Sequence, residues 1–167
     1  MVEIVIDRMV GYFADDVKRI NHALKVYGFA GVLAKLEKMP PQQILTVELA
    51  SVLHDIGIRE AERKYNSTMG KYQEMEGVPI ARQLLANLPL NQPVVNRVLY
   101  IIGHHHTYSM IDGDDFQVLV EADLLVNIFE DQLPNEAVFK IQETLFRTKT
   151  GIRLLETMFP QHDKRLD

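Results

Sequence analysis

Apolar residues recur along this 167-residue chain at the spacing of α-helices. Residues three, four and seven positions apart share one face of a helix, and stripes of this kind run through most of the sequence. No segment alternates apolar and polar residues with the period of two that is typical of a half-buried strand. The pattern therefore predicts an all-α fold, a single compact helical bundle.

The prolines, glycines and polar residues between the stripes give the helix boundaries. Pro93 and Pro134 stand where first-turn prolines are favoured, and Pro40 and Pro41 end the second helix. The segments at about 66–70 and 106–114 are predicted to be loops. The predicted helices cover about 3–13, 15–38, 41–54, 58–65, 72–88, 92–105, 114–132, 134–147 and 149–159.

Composition narrows the class of protein. A hydrophobic fraction of 47% and a charged fraction of 25% are typical of a globular protein, and the length favours one domain over residues 1–167. The net charge of −5, without a basic stripe, predicts no nucleic-acid-binding surface. The absence of cysteine excludes disulfides, thiolate zinc sites and cysteine nucleophiles. With no signal-peptide pattern and no long apolar run, we expect a cytoplasmic protein that does not bind membranes.

One histidine lies on an apolar helix face. His22 shares a stripe with Val26, Phe29, Leu33 and Leu36, at offsets of 4, 7, 11 and 14 residues, so its side chain should point inward. A lone inward histidine is more often a hydrogen-bonded core residue than a ligand. The position alone therefore leaves both interpretations open.

Two aspartates are harder to place in a core. Asp55 follows His54 at the end of a helix that is apolar almost all round, and Asp123 lies within another apolar stripe. A buried carboxylate needs a compensating partner. For Asp123 that partner is either a cation or an arginine such as Arg82 or Arg97. His54 and Asp55 also fit a simple helix-terminal pair.

Three consecutive histidines end the helix predicted over 92–105. His105 continues its apolar face, His104 lies on the flank, and His106 opens the following loop. Four separate segments thus direct histidine or aspartate inward. Imidazole and carboxylate groups together suit first-row transition metals, and an open coordination position makes such a site catalytic. The ion would then supply hydroxide near neutral pH.

The residues around these positions form a recognisable order of motifs. They are Asn21-His22-Ala23-Leu24-Lys25-Val26, Leu49-Ala50-Ser51-Val52-Leu53-His54-Asp55-Ile56-Gly57, Ile101-Ile102-Gly103-His104-His105-His106-Thr107 and Glu121-Ala122-Asp123-Leu124-Leu125. This order resembles the HD superfamily of metal-dependent phosphohydrolases over about residues 12–130, which would hold the metal-binding core. The resemblance implies that His22, His54, Asp55 and Asp123 bind the metal, with Asp55 also at the reacting centre.

The resemblance also implies a choice between one metal ion and two. His104 and His105 match one ligand position of the second metal in two-metal members, and the choice among the three consecutive histidines stays open. A further histidine is expected near the segment 72–81, where this chain has Gln73, Glu74 and Glu76 instead. Either a glutamate completes a two-metal site, or the site holds one ion and Glu74 or Glu76 orients the attacking water as general base. The implied cofactor is one or two divalent ions of Mn, Fe, Co, Ni or Zn.

A second departure concerns phosphate binding. Many members continue Gly-Lys after the His-Asp pair, whereas this chain has Gly57-Ile58-Arg59. Arg59 either takes over a phosphate contact, for which its planar fork is suited, or lies in solvent. Lys71, Arg97 and Tyr108 are weaker candidates for the same contact. The Gly-Tyr-Pro signature of the cyclic-dinucleotide branch is missing, so we do not assign that activity.

Three functions remain open from the sequence. The first is hydrolysis of a small phosphoester, most simply a nucleotide, whose base would stack on Tyr65, Tyr72 or Tyr108. The second is the chemistry of HD-fold di-iron oxygenases, which have a similar ligand set. The third is a non-catalytic metal- or nucleotide-binding regulatory module. The apolar face of the last helix predicts either a homodimer contact or closure of the core.

Overall fold

Two helices that are apolar on almost every side form the centre of the structure. The computed structural model describes residues 1–160. Helix α3, Pro41–Leu53, buries its residues 46–47 and 49–53 almost completely. Helix α7, Asp114–Glu130, is buried without a break from residue 115 to residue 126. Helices without a polar face belong in the middle of a bundle, and the other helices pack around these two.

The long helix α2, Val17–Leu36, packs extensively against both central helices. Helix α6 also packs on α3, and α5 contacts both α4 and α6. Polar side chains cap several helix starts: Asp16 caps α2, Asn91 caps α6 and Thr148 caps α9. The remaining helices are α1 Val2–Phe13, α4 Ile58–Tyr65, α5 Gly70–Leu85, α6 Gln92–Ile102, α8 Asn135–Leu145 and α9 Lys149–Met158.

The all-α prediction is confirmed, and most helices start and end within three residues of the expected positions. Three differences have local causes. Helix α5 ends at Leu85 because Asn87 adopts a left-handed conformation with φ of 61°. Helix α6 ends at Ile102, so the three histidines lie in a turn and not in the helix. The loop after them contains a 3₁₀ turn, Tyr108–Met110.

The C-terminal helices are attached to the centre through a buried acid. Glu121 of α7 is fully buried, and its Oε1 accepts hydrogen bonds from Gln117 Nε2 at 2.8 Å and from the backbone N–H groups of Arg147 at 2.6 Å and Thr148 at 2.8 Å. This carboxylate is therefore satisfied by donors on two segments, α7 itself and the connection between α8 and α9. On α9, Leu155 is buried, so at least this part of the apolar face closes the core.

Within residues 1–160, no helix combines the length and the apolar character that crossing a membrane requires.

Candidate metal centre

Three helices that pack together bring the first group of ligand atoms into contact. His22 comes from the middle of α2, His54 from the residue after α3, and Asp123 from the buried stretch of α7. His22 Nε2 lies 3.3 Å from His54 Nε2 and 3.2 Å from Asp123 Oδ1. His54 Nε2 lies 3.5 Å from the same oxygen. We call this group the first position.

A second group shares one residue with the first. Asp55 directs Oδ2 toward the first position, at 3.5 Å from His22 Nε2 and 3.4 Å from His54 Nε2. Its other oxygen, Oδ1, lies 3.2 Å from His105 Nε2 and 3.9 Å from His106 Nε2. Asp55, His105 and His106 thus form a second cluster able to hold an ion, which we call the second position. The Asp55 carboxylate joins the two positions.

Backbone carbonyls fix the tautomer that two of these histidines adopt when neutral. The Nδ1 of His54 lies 2.8 Å from the carbonyl oxygen of Ser51, and that of His105 lies 2.8 Å from the carbonyl oxygen of Ile102. Because a carbonyl oxygen only accepts hydrogen bonds, each Nδ1 must carry the proton. The neutral ring then presents the Nε2 lone pair to the cluster, which is the form that binds a metal.

Electrostatics in the first position favour a bound cation. Burial alone lowers the pKa of His54, but the Asp55 and Asp123 carboxylates outweigh it and hold that pKa well above the usual value. Burial likewise lowers the pKa of His22, and Asp123 and Asp55 raise it overall. Burial raises the pKa of both aspartates, but neighbouring histidines hold each pKa well below its usual value: His54 and His105 act on Asp55, and His22 and His54 act on Asp123. The carboxylates therefore require positive charge beside them, from protons or from an ion.

Two buried atoms of the residues that form the two positions have no hydrogen-bond partner among the described residues. They are Asp123 Oδ1 in the first position and His106 Nε2 in the second. Buried polar atoms are usually paired, and an unmodified cluster leaves these two without a donor or an acceptor. Imidazole nitrogens with carboxylate oxygens are a ligand set for Mn, Fe, Co, Ni or Zn. The residues present therefore fit a divalent ion.

Glu130, at the end of α7, orients His22 and was not predicted from the sequence. Its Oε2 lies 2.9 Å from His22 Nδ1, and its Oε1 accepts a hydrogen bond from Lys25 Nζ at 2.8 Å. A carboxylate on the second ring nitrogen fixes the tautomer of a ligating histidine and makes it more basic. An acid in a last helical turn looks solvent-exposed in a sequence, so no pattern indicated this contact.

A polar cavity of about 510 Å³ opens onto the two positions. His22 and Asp55 border it directly. Lys18 and Arg19 provide positive charge in its wall. The guanidinium of Arg19 forms ion pairs with Asp16 and with Glu62, each at 2.7 Å. The other lining residues are Asp16, Ile58, Glu62, Thr68, Gln73, Asn127, Glu130 and Asp131.

The structure does not bring four other predicted site residues into the cluster. His104 points its Nδ1 to the carbonyl of Tyr100 at 2.7 Å and borders a separate cavity of about 580 Å³ between α5 and α6. Both Glu74 oxygens accept from the Thr107 hydroxyl, at 3.0 and 3.1 Å. Arg59, a third such residue, donates to the backbone carbonyl of Tyr12 at 2.7 Å.

Glu76, the fourth, is buried but faces other partners. Its carboxylate accepts hydrogen bonds from Lys64 Nζ at 2.5 Å and from the Tyr65 hydroxyl at 2.9 Å. Tyr65 in turn stacks on Tyr72 with ring centroids 4.2 Å apart. Neither tyrosine lines the cavity beside the cluster. The two tyrosine rings therefore stack on each other and do not face the cavity beside the cluster.

Arg97 is also engaged away from the cluster. Its guanidinium binds Asp115 at 2.6 Å and Asp112 at 2.7 Å, so it does not neutralise Asp123. Lys71 places its Nζ 4.6 Å from the centre of the Tyr72 ring. Among the described residues no arginine hydrogen-bonds Asp123, and a cation is the better account of that buried carboxylate.

Comparison with known proteins identifies the family of this chain. The HD domain family matches residues 19–146, a span that contains every histidine and aspartate of the two positions. The chain belongs to the HD domain family. A crystal structure of a predicted HD superfamily hydrolase from an uncultured Thermotogales bacterium has the same fold, with a TM-score of 0.64. It is 22% identical in sequence, and the match covers 92% of this HD domain protein and 82% of that chain. The search among curated proteins found no match.

Proposed function

We propose that this HD domain protein is a metal-dependent phosphohydrolase acting on a small phosphorylated molecule, with nucleotides as the first substrate class to test. The observation that carries the proposal is the meeting of His22, His54, Asp55 and Asp123 at the wall of an open polar cavity. A structural metal site is closed by its ligands, whereas a catalytic site stays accessible to substrate. Membership of the HD family supports the same reaction class.

The ligands divide the work between holding an ion and leaving room for substrate. His54 and Asp123 are buried and anchor the first position from the core side. His22 and Asp55 lie at the cavity wall, where substrate enters. A divalent ion bound there supplies Lewis acidity toward a phosphate oxygen and lowers the pKa of a bound water. Glu130 keeps His22 in the orientation that this binding requires.

Positive side chains at the cavity support a phosphorylated substrate. Lys18 is exposed at the rim, so its ammonium is positioned to meet an entering phosphate. Arg19 stands beside it, with its guanidinium fixed by Asp16 and Glu62. Neither was predicted from the sequence, which favoured Arg59. We assign the phosphate contact to Lys18 first, with Arg19 as a second positive group.

The residues that line this cavity indicate the chemistry of the part of the substrate other than the phosphate. Among residues 1–160 no phenylalanine or tyrosine side chain borders it, and most of its wall is polar or charged. A nucleobase bound here would be held by hydrogen bonds and not by stacking. Phosphorylated sugars and other polar phosphomonoesters therefore belong in the same test as nucleotides.

The test begins with the purified protein, whose metal content is measured by elemental analysis. The chelator-treated protein is reloaded with Mn²⁺, Fe²⁺, Co²⁺, Ni²⁺ or Zn²⁺ and assayed with and without oxygen against nucleoside monophosphates, sugar phosphates and a generic aryl phosphate. We expect release of inorganic phosphate that is lost in the His54→Ala/Asp55→Ala double variant.

The outcomes separate the three functions. Equal phosphate release by the double variant would refute the proposal. Turnover that requires both iron and oxygen would replace it with the oxygenase. Tight metal binding without turnover of any phosphorylated compound would favour a regulatory module.

A further inference from the structure

The side chain of Gln73 is a buried amide whose NH₂ group is hydrogen-bonded and whose oxygen is not. The side chain is only 6% exposed, and its Nε2 donates to the backbone carbonyl of Thr68 at 2.7 Å. Because that carbonyl only accepts, the NH₂ group must face Thr68, and this fixes which arm carries the oxygen. The oxygen, Oε1, is buried and has no hydrogen-bond partner among the described residues. Such an acceptor calls for a donor or a cation.

The surroundings of Gln73 place it beside the second position. Gly70 lies one helical turn earlier on the same face of α5, and a Cβ there would come within 2.6 Å of the His106 Cβ. Gly57, two residues after Asp55, packs directly against the backbone carbonyl of Gln73. The first turn of α5, which carries Gln73, therefore packs against both His106 and the turn that carries Asp55. Gln73 also lines the same cavity as Asp55.

We propose that the Gln73 amide oxygen is a ligand of a divalent ion at the second position, together with Asp55 Oδ1, His105 and His106. Two unpartnered buried atoms, Gln73 Oε1 and His106 Nε2, then share one explanation. The proposal rests on the metal cluster of the proposed function but not on the reaction that the cluster performs.

Gln73 also makes the two positions unequal. The first position has the Asp123 carboxylate and one Asp55 oxygen, whereas the second has only the other Asp55 oxygen as an anionic ligand. Affinity for a divalent ion falls as the ligand charge falls. An amide oxygen also suits manganese or magnesium better than it suits zinc or nickel. The second position therefore holds its ion more weakly and accepts oxygen-preferring ions.

Two substitutions of Gln73 test the assignment by counting ions. Gln73→Met keeps the length of the side chain and removes the oxygen, while Gln73→Glu keeps an oxygen and adds a charge. Chelator-treated protein is titrated with Mn²⁺, and binding is followed by calorimetry and by the spin coupling of neighbouring Mn²⁺ ions in electron paramagnetic resonance. Gln83→Met, the same change at an exposed site on the same helix, is the matched control.

The wild-type protein should bind Mn²⁺ in two steps, a tight one and a weaker one. Gln73→Met should weaken only the second step, by about tenfold or more, and should lose the coupled signal. Gln73→Glu should tighten the second step by about tenfold. The control should leave both steps unchanged. Thermal unfolding of the metal-free variants shows that each is folded.

Wild-type affinities in Gln73→Met, or a second step that neither Gln73 variant moves, would overturn the assignment. Two equal steps, or a single Mn²⁺ at saturation, in the wild-type protein would overturn it as well. If two ions bind as described and no phosphoester is hydrolysed, the assignment of Gln73 stands and the proposed reaction fails. If no Mn²⁺ binds, both fail.

Discussion

Glu130 Oε2 lies 2.9 Å from His22 Nδ1, although 108 residues separate the two positions in the chain. The contact joins the end of α7 to the middle of α2, on the side of the His22 ring that faces away from the cluster. Burial raises the pKa of Glu130, and Lys25 and His22 lower it by more, so the carboxylate stays ionised. His22 is therefore held by a charged partner on one nitrogen while the other remains free for an ion.

Replacing this carboxylate should weaken metal binding without removing a ligand. We expect Glu130→Gln to lower the affinity of the first position by about 10- to 100-fold, because a neutral amide orients His22 less strongly. Calorimetric titration of the chelator-treated protein measures the change. Lys25→Met, which removes the other partner of Glu130, should have a smaller effect. An unchanged affinity in Glu130→Gln would mean that His22 is not a ligand.

The neighbouring histidines 104 and 106 offer a matched pair. His106 belongs to the second position, whereas the ring of His104 is held at the Tyr100 carbonyl. His106→Ala should therefore reduce the number of ions bound per chain at saturation from two to one, and His104→Ala should leave it at two. Elemental analysis after dialysis against a defined Mn²⁺ concentration gives both numbers. The reverse result would assign the ligand to His104.

Ion binding should release protons, and mostly from the first position. The pKa values of His22 and His54 are raised, so a fraction of the molecules carries each ring in its protonated form near neutral pH. These rings must lose that proton to bind an ion. Burial, with His105 beside it, lowers the pKa of His106 to about 4, so His106 is already neutral at pH 7. Affinity at the first position should rise with pH until it passes the pKa values of His22 and His54.

Calorimetry in buffers with different ionisation enthalpies measures this release at each step. A tight step that releases no proton at pH 6, where the raised pKa values keep these rings charged, would contradict the assignment of His22 and His54 as the titrating ligands.

Two glycines should respond to alanine in opposite ways. A Cβ at Gly57 would overlap the backbone of Gln73 and Gly77, so Gly57→Ala should lower the free energy of unfolding by about 1–3 kcal/mol. Gly28 is exposed in the middle of α2 with no atom near its Cβ position. Gly28→Ala should raise stability by about 0.5–1 kcal/mol. Urea unfolding of the chelator-treated proteins measures both changes in the free energy of unfolding. If Gly57→Ala left this free energy unchanged, the turn at Gly57 and helix α5 would have to separate easily.

Helical periodicity and burial predicted much of this structure. An apolar stripe has a fixed period, so the helices and the inward direction of His22 and Asp123 follow from spacing alone. Residues whose partners lie far away in the chain could not be predicted in this way. Glu130 is an ordinary surface residue type in a sequence, and only the packing of α7 on α2 gives it a role. The resemblance named Gln73, Glu74 and Glu76 together, and only the packing of α5 on the turn after α3 distinguishes Gln73 from the other two.

The run of three histidines shows a different limit. Neighbouring residues on a helix differ by 100° in direction, so a helix ending at 105 and one ending at 102 direct the three rings differently. The predicted end was three residues too late, and the ring beyond the predicted end, His106, enters the cluster. An error that is small along the chain is therefore decisive for the choice of ligand.

Glu74 connects the second position to a part of the molecule that can open locally. Its Oε1 accepts from the backbone N–H of His106 at 3.0 Å, and both of its oxygens accept from the Thr107 hydroxyl. The exposed 3₁₀ turn that follows has few buried contacts, and such segments open more often than a core helix does. We therefore expect the residence time of an ion at the second position to depend on how often the hydrogen bonds of Glu74 to His106 and Thr107 break. The rate of ion exchange would then be set by opening of this loop and not by the strength of the metal–ligand bonds.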